Sequence, residues 1–164
     1  MSKFGNSRRD KFLADLPDAS FDGEADTLTK RSKFNFSYFL SDPPGQGFND
    51  WTHSQLVKLL DKLKDYSRES LAYWENQHCG AAGRVLSIYG GFPSKSAFAH
   101  PKAVPSEARW ARFRLEQSVR LVGFVVPTSL DGRAHSVTKK CFCSNTFYVV
   151  FLDRDHQFYQ TEAH

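Results

Sequence analysis

The 164-residue sequence is poor in features that mark several large classes of protein. Its three cysteines, Cys79, Cys141 and Cys143, are an odd and small number, so we expect reduced thiols and no disulfide framework of the secreted type. No run approaches the roughly 18 apolar residues of a membrane span, and Met1 to Asp10 lacks the apolar segment of a signal peptide. We therefore expect a cytoplasmic protein with no membrane partner.

Several signatures of catalysis and of metal binding are also missing. The sequence has no Gly-x-x-x-x-Gly-Lys-Ser/Thr loop and no Gly-x-Ser-x-Gly motif, so neither a nucleotide-binding P-loop nor acyl transfer is supported. Only one residue separates Cys141 from Cys143, which is tighter than the usual zinc pair, and neither His135 nor the adjacent His78 and Cys79 completes a standard ligand set. We predict no metal and no cofactor.

Aromatic residues and positive charge are present in quantity. Fifteen phenylalanines and 40% hydrophobic residues are enough for one buried core. The formal net charge is only +4, but it is unevenly distributed. Basic and acidic residues balance over 1–48, with seven of each, whereas residues 84–140 hold ten basic residues against three acidic ones. The small net charge therefore conceals a cationic stretch suited to an anionic partner.

The chain divides into an N-terminal arm and one domain. Residues 1–32 mix charges of both signs with small polar residues and show no sustained periodicity, so we predict a flexible arm. Residues 33–164 are predicted to form a single α+β domain. Its first element is Phe34–Tyr38, where aromatic residues alternate with small polar ones as in a half-buried strand.

Two helices are predicted next. The first begins after Thr52, which forms a capping box with Gln55. The second covers residues 69–77 and follows so closely that the two helices should form an antiparallel pair. The apolar stripe of the first helix consists of Leu56, Leu59, Leu60 and Leu63.

Three late segments, 109–115, 120–126 and 146–152, have the composition of strands. The first two are separated by a short connection and should pair as an antiparallel hairpin. Residues 85–89 are a strand or a buried turn, and 90–105 read as a long loop because they contain many helix and strand breakers. This order predicts an α+β fold, with a small antiparallel sheet that carries the helical hairpin on one face.

The candidate functional residues lie mainly on the strands predicted late in the sequence. Alternation places Trp110, Arg112 and Arg114 on one face of their strand and apolar residues on the other. If the apolar face meets the helices, the guanidinium groups and the indole remain on an open face, where arginine binds phosphate and tryptophan stacks on a base. Arg120 opens the partner strand and extends this cationic group. The structural alternative is that these arginines are solvated and paired with nearby glutamates, Glu107 or Glu116.

His156 and Tyr159 follow the last strand within a few residues of each other. Histidine titrates near neutral pH and acts as a general acid or base, and tyrosine stacks on a base or donates a proton. Taken alone, this segment is better explained as a structural one in which Phe158 and Tyr159 cap the core. Together with the arginines, it predicts a site for an anionic substrate.

The succession of these segments resembles the RelE/ParE toxin superfamily. The resemblance covers residues 34–160 in element order and residues 110–159 at the level of motifs. It implies a metal-independent endoribonuclease that cuts mRNA on the ribosome or, in the ParE branch, a gyrase poison, with a protein antitoxin as partner. The segments that carry it are the helical hairpin, Arg112-Phe-Arg114, Arg120-Leu-Val-Gly-Phe, Phe147-Tyr-Val-Val-Phe-Leu and His156-Gln-Phe-Tyr159.

The resemblance also implies roles for individual residues. Arg112, Arg114 and Arg120 would hold the scissile phosphate, while His156 and Tyr159 would supply proton transfer and base stacking. The reaction would be attack of a ribose 2′-hydroxyl on the adjacent phosphorus, which needs an acid, a base and cationic stabilisation. Further candidates for RNA contact are Lys102, Trp110, Lys139 and Lys140.

A non-catalytic protein is the alternative function. It would use the same basic sheet face to bind nucleic acid or an acidic protein surface, including a gyrase-type target. An enzyme requires the five candidate catalytic residues to converge on one concavity, whereas scattering over different faces would contradict catalysis.

Overall fold

The computed structural model describes residues 6–16, 21–23 and 27–160. Within them, no helix combines the length and apolar character needed to cross a membrane. The elements in chain order are α1 (Ser7–Ala14), β1 (Lys33–Asn35), α2 (His53–Tyr66), α3 (Leu71–Asn76), β2 (His78–Cys79), β3 (Gly83–Arg84), β4 (Leu86–Gly90), β5 (Arg109–Arg114), β6 (Arg120–Val125) and β7 (Thr146–Asp153).

Five strands form the main sheet in the order β1-β7-β6-β5-β4, and β2 pairs with β3 in a separate two-stranded sheet. The predicted hairpin is confirmed, because β5 and β6 pair antiparallel from Arg109 opposite Val125 to Arg114 opposite Arg120. The sheet is mixed, however, since β1 runs parallel to β7. The expectation of an antiparallel sheet came from short connections, and β1 and β7 are separated by most of the chain.

The two predicted helices are confirmed. Thr52 Oγ1 accepts a hydrogen bond from the Gln55 N–H at 3.2 Å, and Gln55 Oε1 accepts one from the Thr52 N–H at 2.9 Å, so α2 begins with the expected capping box. The second helix is α3, and Ser70 caps its N-terminus. Both helices contribute buried residues to the core on one face of the sheet.

We call this packing the helix-side core. Phe113 of β5 is fully buried at its centre. Its ring stacks on Tyr66 with centroids 4.5 Å apart and meets Phe147 edge-on at 5.0 Å. Other members are Leu59, Leu63, Leu71, Leu86, Ala111, Leu115, Leu121, Val125, Val149 and Leu152.

The opposite face of the sheet is also covered, which corrects the prediction of an open face. Trp110 lies on this face as predicted but is only 1% exposed. Its ring lies 4.9 Å from Phe92 and 5.6 Å from Phe158, so it is not accessible for stacking on a base. The irregular segment 91–108 supplies much of the cover. This loop-side core contains Phe98, Val104, Ala108, Trp110, Val122, Phe124, Val150, Phe151 and Phe158.

A β-bulge interrupts the pairing of β6 with β7. Val122 pairs with Phe151, but the next residue, Gly123, pairs with Val149. A Cβ atom on Gly123 would lie 2.1 Å from the carbonyl oxygen of Tyr148, so only glycine fits at this close approach of two strands. The bulge therefore depends on the absence of a side chain at position 123.

The N-terminal arm contains a helix that the sequence analysis did not predict. Helix α1 begins after Asn6, whose side chain accepts a hydrogen bond from the Arg9 N–H at 3.4 Å. None of its residues is buried. Residues 1–5, 17–20 and 24–26 of the predicted arm lie outside the described residues.

Candidate functional site

Three arginines lie together at one end of the loop-side face. Arg114 pairs with Arg120 across β5 and β6, and Arg120 pairs with Asp153 across β6 and β7. Arg112 lies one row further along, opposite Val122. Directly paired residues project from the same face of a sheet, so the three guanidinium groups share one side. We call Arg112, Arg114 and Arg120 the arginine corner.

Neighbouring strands fix two of these side chains. The Arg112 Nε donates a hydrogen bond to the Tyr89 hydroxyl at 2.8 Å. Arg114 reaches towards the small sheet, where its Nη1 lies 3.8 Å from the Cys79 sulfur. A Cβ on Gly83 would lie 3.1 Å from Arg114 Nη2, so the glycine makes room for the guanidinium.

Arg120 is the most deeply placed of the three and is only 3% exposed. Its Nη1 donates to the carbonyl oxygens of Glu116, Gln117 and Val119 at 2.8, 2.7 and 3.0 Å. These bonds close the turn between β5 and β6. Burial, together with the charges of the two other arginines, lowers the pKa of Arg120 to about 10, so it is still a cation at neutral pH.

No carboxylate of the described residues forms an ion pair with the arginine corner, although the charge of the buried Asp153 partly offsets that of Arg120. Glu116, one expected partner, forms an ion pair with Lys58 at 3.0 Å, and Glu107 accepts a hydrogen bond from Ser106. The structural alternative of solvated, glutamate-paired arginines is therefore wrong. Three nitrogens are buried with no hydrogen-bond partner, namely Arg112 Nη1, Arg114 Nε and Arg120 Nε. Like charges gathered in this way are unfavourable until an anion joins them.

A turn after β7 brings His156 to this corner. The fully buried Asp153 holds the turn, because its Oδ1 accepts from the Gln157 N–H at 2.9 Å and its Oδ2 accepts from the Phe158 N–H at 2.8 Å. Phe158 is thereby anchored in the loop-side core. His156 adopts a φ of 55°, a left-handed conformation that is uncommon for a residue with a side chain. Such strained positions concentrate at functional sites.

His156 lies close enough to the arginines for their charges to act on its imidazole. Burial lowers the pKa of its imidazole, the neighbouring Arg120 and Arg112 lower it further, and Asp153 opposes them. The neutral imidazole therefore predominates at neutral pH, and it can accept a proton.

Two tyrosines complete the site. The rings of Tyr89 and Tyr159 are parallel within 6°, with centroids 4.9 Å apart. Tyr159 is 42% exposed and offers its outer part to a ligand. Burial raises the pKa of Tyr89, although Arg112 opposes this shift, so Tyr89 is protonated at neutral pH. Arg112, Tyr89 and Tyr159 thus form one continuous group.

Sequence analysis missed Tyr89 and Asp153. The sequence allows either a strand or a turn over residues 85–89, and only as a strand, with Leu86 and Ile88 on the helix side, does it place Tyr89 on the face of the arginines. For Asp153 the available signal was a single acidic residue at the end of an otherwise apolar strand.

The predicted RNA-contacting lysines do not join this site as a group. Lys139 and Lys140 are exposed in the segment between β6 and β7. That segment leaves the sheet after Val125, and the six residues of β6 separate it from the Arg120 end by about 17 Å. Lys102 is exposed in the segment 91–108 that covers the loop-side core. The five catalytic candidates therefore lie at one end of the sheet, Trp110 is on the same face but buried, and Lys139 and Lys140 lie at the far end of β6.

No three histidine, cysteine, aspartate or glutamate side chains come together as a possible metal site in residues 6–16, 21–23 and 27–160. The candidate site thus consists of arginine, histidine and tyrosine, a set that suits an anion. Comparisons with protein-family models, with characterised proteins and with solved structures give no match.

Proposed function

We propose that this protein is a metal-independent endoribonuclease. The observation that carries the proposal is the convergence of the arginine corner, His156 and the tyrosine pair at one end of the sheet. Arginine binds phosphate oxygens through several N–H groups at once, and Arg112 and Arg114 are only half-buried, so part of their guanidinium groups remains accessible to an anion. Aromatic rings beside a phosphate site suit a base-bearing, single-stranded nucleic acid.

Each group has a part in the reaction. The neutral His156 takes the proton from a ribose 2′-hydroxyl, and the oxygen attacks the adjacent phosphorus. Arg112, Arg114 and Arg120 stabilise the additional negative charge on the phosphate. Tyr159 contributes a stacking surface for a base and donates its hydroxyl proton to the departing 5′-oxygen, and the protonated His156 then returns a proton to Tyr159. The products are a 2′,3′-cyclic phosphate and a free 5′-hydroxyl.

The RelE/ParE resemblance extends the proposal to its biological setting. It favours mRNA on the ribosome as the substrate and a protein antitoxin as the partner. The local excess of positive charge over residues 84–140 is consistent with an RNA substrate.

The test uses purified protein and a synthetic RNA in EDTA. We expect cleavage with 2′,3′-cyclic phosphate ends, and we expect H156Q to abolish it while circular dichroism stays unchanged. The matched control is R68M, because Arg68 is an exposed arginine whose contact is a long ion pair with Asp65. Primer extension after induction in cells tests cleavage of ribosome-bound mRNA. Failure of both assays with folded protein would contradict an endoribonuclease.

A non-catalytic binding protein is the second candidate. The observation that favours it is that Arg120 already donates to three backbone carbonyls, which is a structural role. Growth arrest with intact transcripts, together with RNA or acidic-protein binding that survives H156Q but not R112M, would favour this function.

A further inference from the structure

A second reactive cluster lies at the other end of the sheet. The Lys33 ammonium donates a hydrogen bond to the Cys143 sulfur at 3.3 Å. Lys33 is the first residue of β1, and it pairs with Thr146 at the start of β7. Cys141, an exposed free thiol, is two residues before Cys143.

The surroundings of Cys143 favour a thiolate. Partial burial raises the pKa of this thiol, but hydrogen bonds from the Thr146 side chain, the Asn145 backbone and Lys33 lower it by more, so the net shift is downward. Thiolates are the reactive form of cysteine, and a nearby lysine is a recurring way to stabilise them.

The two residues that follow Cys143 are anchored by hydrogen bonds. The Ser144 N–H donates to Asp131 Oδ1 at 2.7 Å. The Asn145 side chain accepts from the Leu71 N–H at 2.9 Å and donates to the Lys30 carbonyl at 2.9 Å. Lys33 and Cys143 therefore stay together without help from the candidate active site, which lies beyond the length of β6.

We propose that Cys143 and Lys33 form a peroxide-reactive thiol site in which Cys141 is the resolving thiol. This site is independent of the proposed ribonuclease activity. It gives a role to the closely spaced cysteine pair that no metal-ligand set explains.

The chemistry balances with hydrogen peroxide as the oxidant. The Cys143 thiolate attacks one peroxide oxygen, the O–O bond breaks, and the departing hydroxide takes a proton to become water. Cys143 is oxidised by two electrons to a sulfenic acid, and the peroxide is reduced. The Cys141 thiol then attacks the sulfenic sulfur, so that an S–S bond forms, the S–O bond breaks and the oxygen leaves as a second water.

The test exposes the reduced full-length protein to hydrogen peroxide with dimedone at neutral pH, followed by peptide mass spectrometry. We expect a Cys141–Cys143 disulfide in the wild type and a dimedone adduct on Cys143 in C141S. K33M should slow oxidation of Cys143 about threefold to tenfold, because one unit of pKa changes the thiolate fraction up to tenfold. K33R should restore the rate, and Cys79 is the internal reference thiol.

Several results would overturn the proposal. One is oxidation of Cys79 at the same rate as Cys143, or of Cys141 in C143S at the same rate as Cys143 in C141S, and another is an unchanged rate in K33M. An equal dimedone yield on Cys143 in the wild type and C141S would remove the resolving role of Cys141. If K33M does not fold, the comparison of Cys143 with Cys79 in wild-type protein decides.

Discussion

Both faces of the five-stranded sheet carry an apolar core, but they differ at the end where β5 turns into β6. On the helix side, apolar packing continues through Phe113, Leu115 and Leu121. On the loop side, the same rows of the sheet hold Arg114 opposite Arg120 and Arg120 opposite Asp153. One strand thus contributes a ring stack to one face and guanidinium groups to the other.

The difference separates residues that stabilise the fold from residues held in place by it. Phe113 is stabilised by its ring contacts with Phe34, Tyr66 and Phe147. The three arginines, in contrast, repel one another and leave three buried nitrogens without hydrogen-bond partners. A protein retains such an unfavourable group when it serves binding or catalysis. Substitutions in the helix-side core should therefore mainly lower stability. Substitutions in the arginine corner should mainly lower activity.

The largest effect is expected at the helix-side core. F113A removes a fully buried ring that contacts Phe34, Tyr66 and Phe147, and it should lower the free energy of unfolding by about 3–5 kcal/mol. Urea denaturation measures this loss. L60A is the control, since Leu60 is 64% exposed and should change the free energy by less than about 0.5 kcal/mol. A loss of under about 1 kcal/mol for F113A would contradict the described packing.

Substitutions in the arginine corner should lower RNA cleavage without lowering stability. R112M keeps the apolar part of the side chain but removes its charge, so RNA cleavage should fall about 10²–10³-fold, as for the loss of one charge-stabilising donor. The free energy of unfolding should stay the same or rise, because a like charge beside Arg120 is gone. Cleavage assays and urea denaturation of the same preparation test both parts. Strong destabilisation with retained cleavage would reverse the comparison.

Substitution of Asp153 should lower both stability and RNA cleavage. D153N keeps the shape but weakens acceptance of the Gln157 and Phe158 N–H groups, so it should cost about 1–3 kcal/mol of unfolding free energy. Cleavage should fall as well, because the turn positions His156. D155N is the matched control, since Asp155 is exposed and its ion pair within the described residues is a long one with Arg154, at 3.7 Å. Equal stability of the two variants would remove Asp153 from its anchoring role.

The smallest effect concerns pH. The folded-state pKa of His156 lies below the value of 6.5 in the unfolded chain, so the unfolded chain takes up the proton first as the pH falls. The unfolding free energy should therefore decrease from neutral pH down to the folded pKa and level off below it. H156Q should flatten this part of the profile, as measured by urea denaturation at several pH values. Identical profiles for the two proteins would disprove the shift.

Local patterns in the sequence predicted much of the fold. The Thr52 capping box, the leucine stripe of α2 and the short connection from β5 to β6 each act within a few residues, so the sequence displays them directly. The parallel pairing of β1 with β7 brings distant segments together, and no short turn specifies it. The cover of Trp110 comes from an irregular loop, whose apolar residues follow no period.

The site was predictable in part for the same reason. Alternation along one strand places Arg112 and Arg114 together, the partner strand and the end of the last strand add Arg120, His156 and Tyr159, and the resemblance implies a role for each. Tyr89 depends on β4 being a strand, which residues 85–89 leave undecided, and Asp153 depends on a bulge and a turn, which a regular strand pattern does not represent. Lys139 and Lys140 were grouped with the site because they are basic, although they lie at the far end of β6.

The bulge opposite Gly123 decides which face Asp153 occupies. In a regular strand, Asp153 would have the same parity as Phe147 and Val149, both in the helix-side core, and would direct a carboxylate into apolar packing. The bulge changes the parity, because Val150 and Phe151 both lie on the loop side. Asp153 is therefore carried to the arginine side. A glycine with no chemistry of its own thus sets the orientation of the site's acidic anchor.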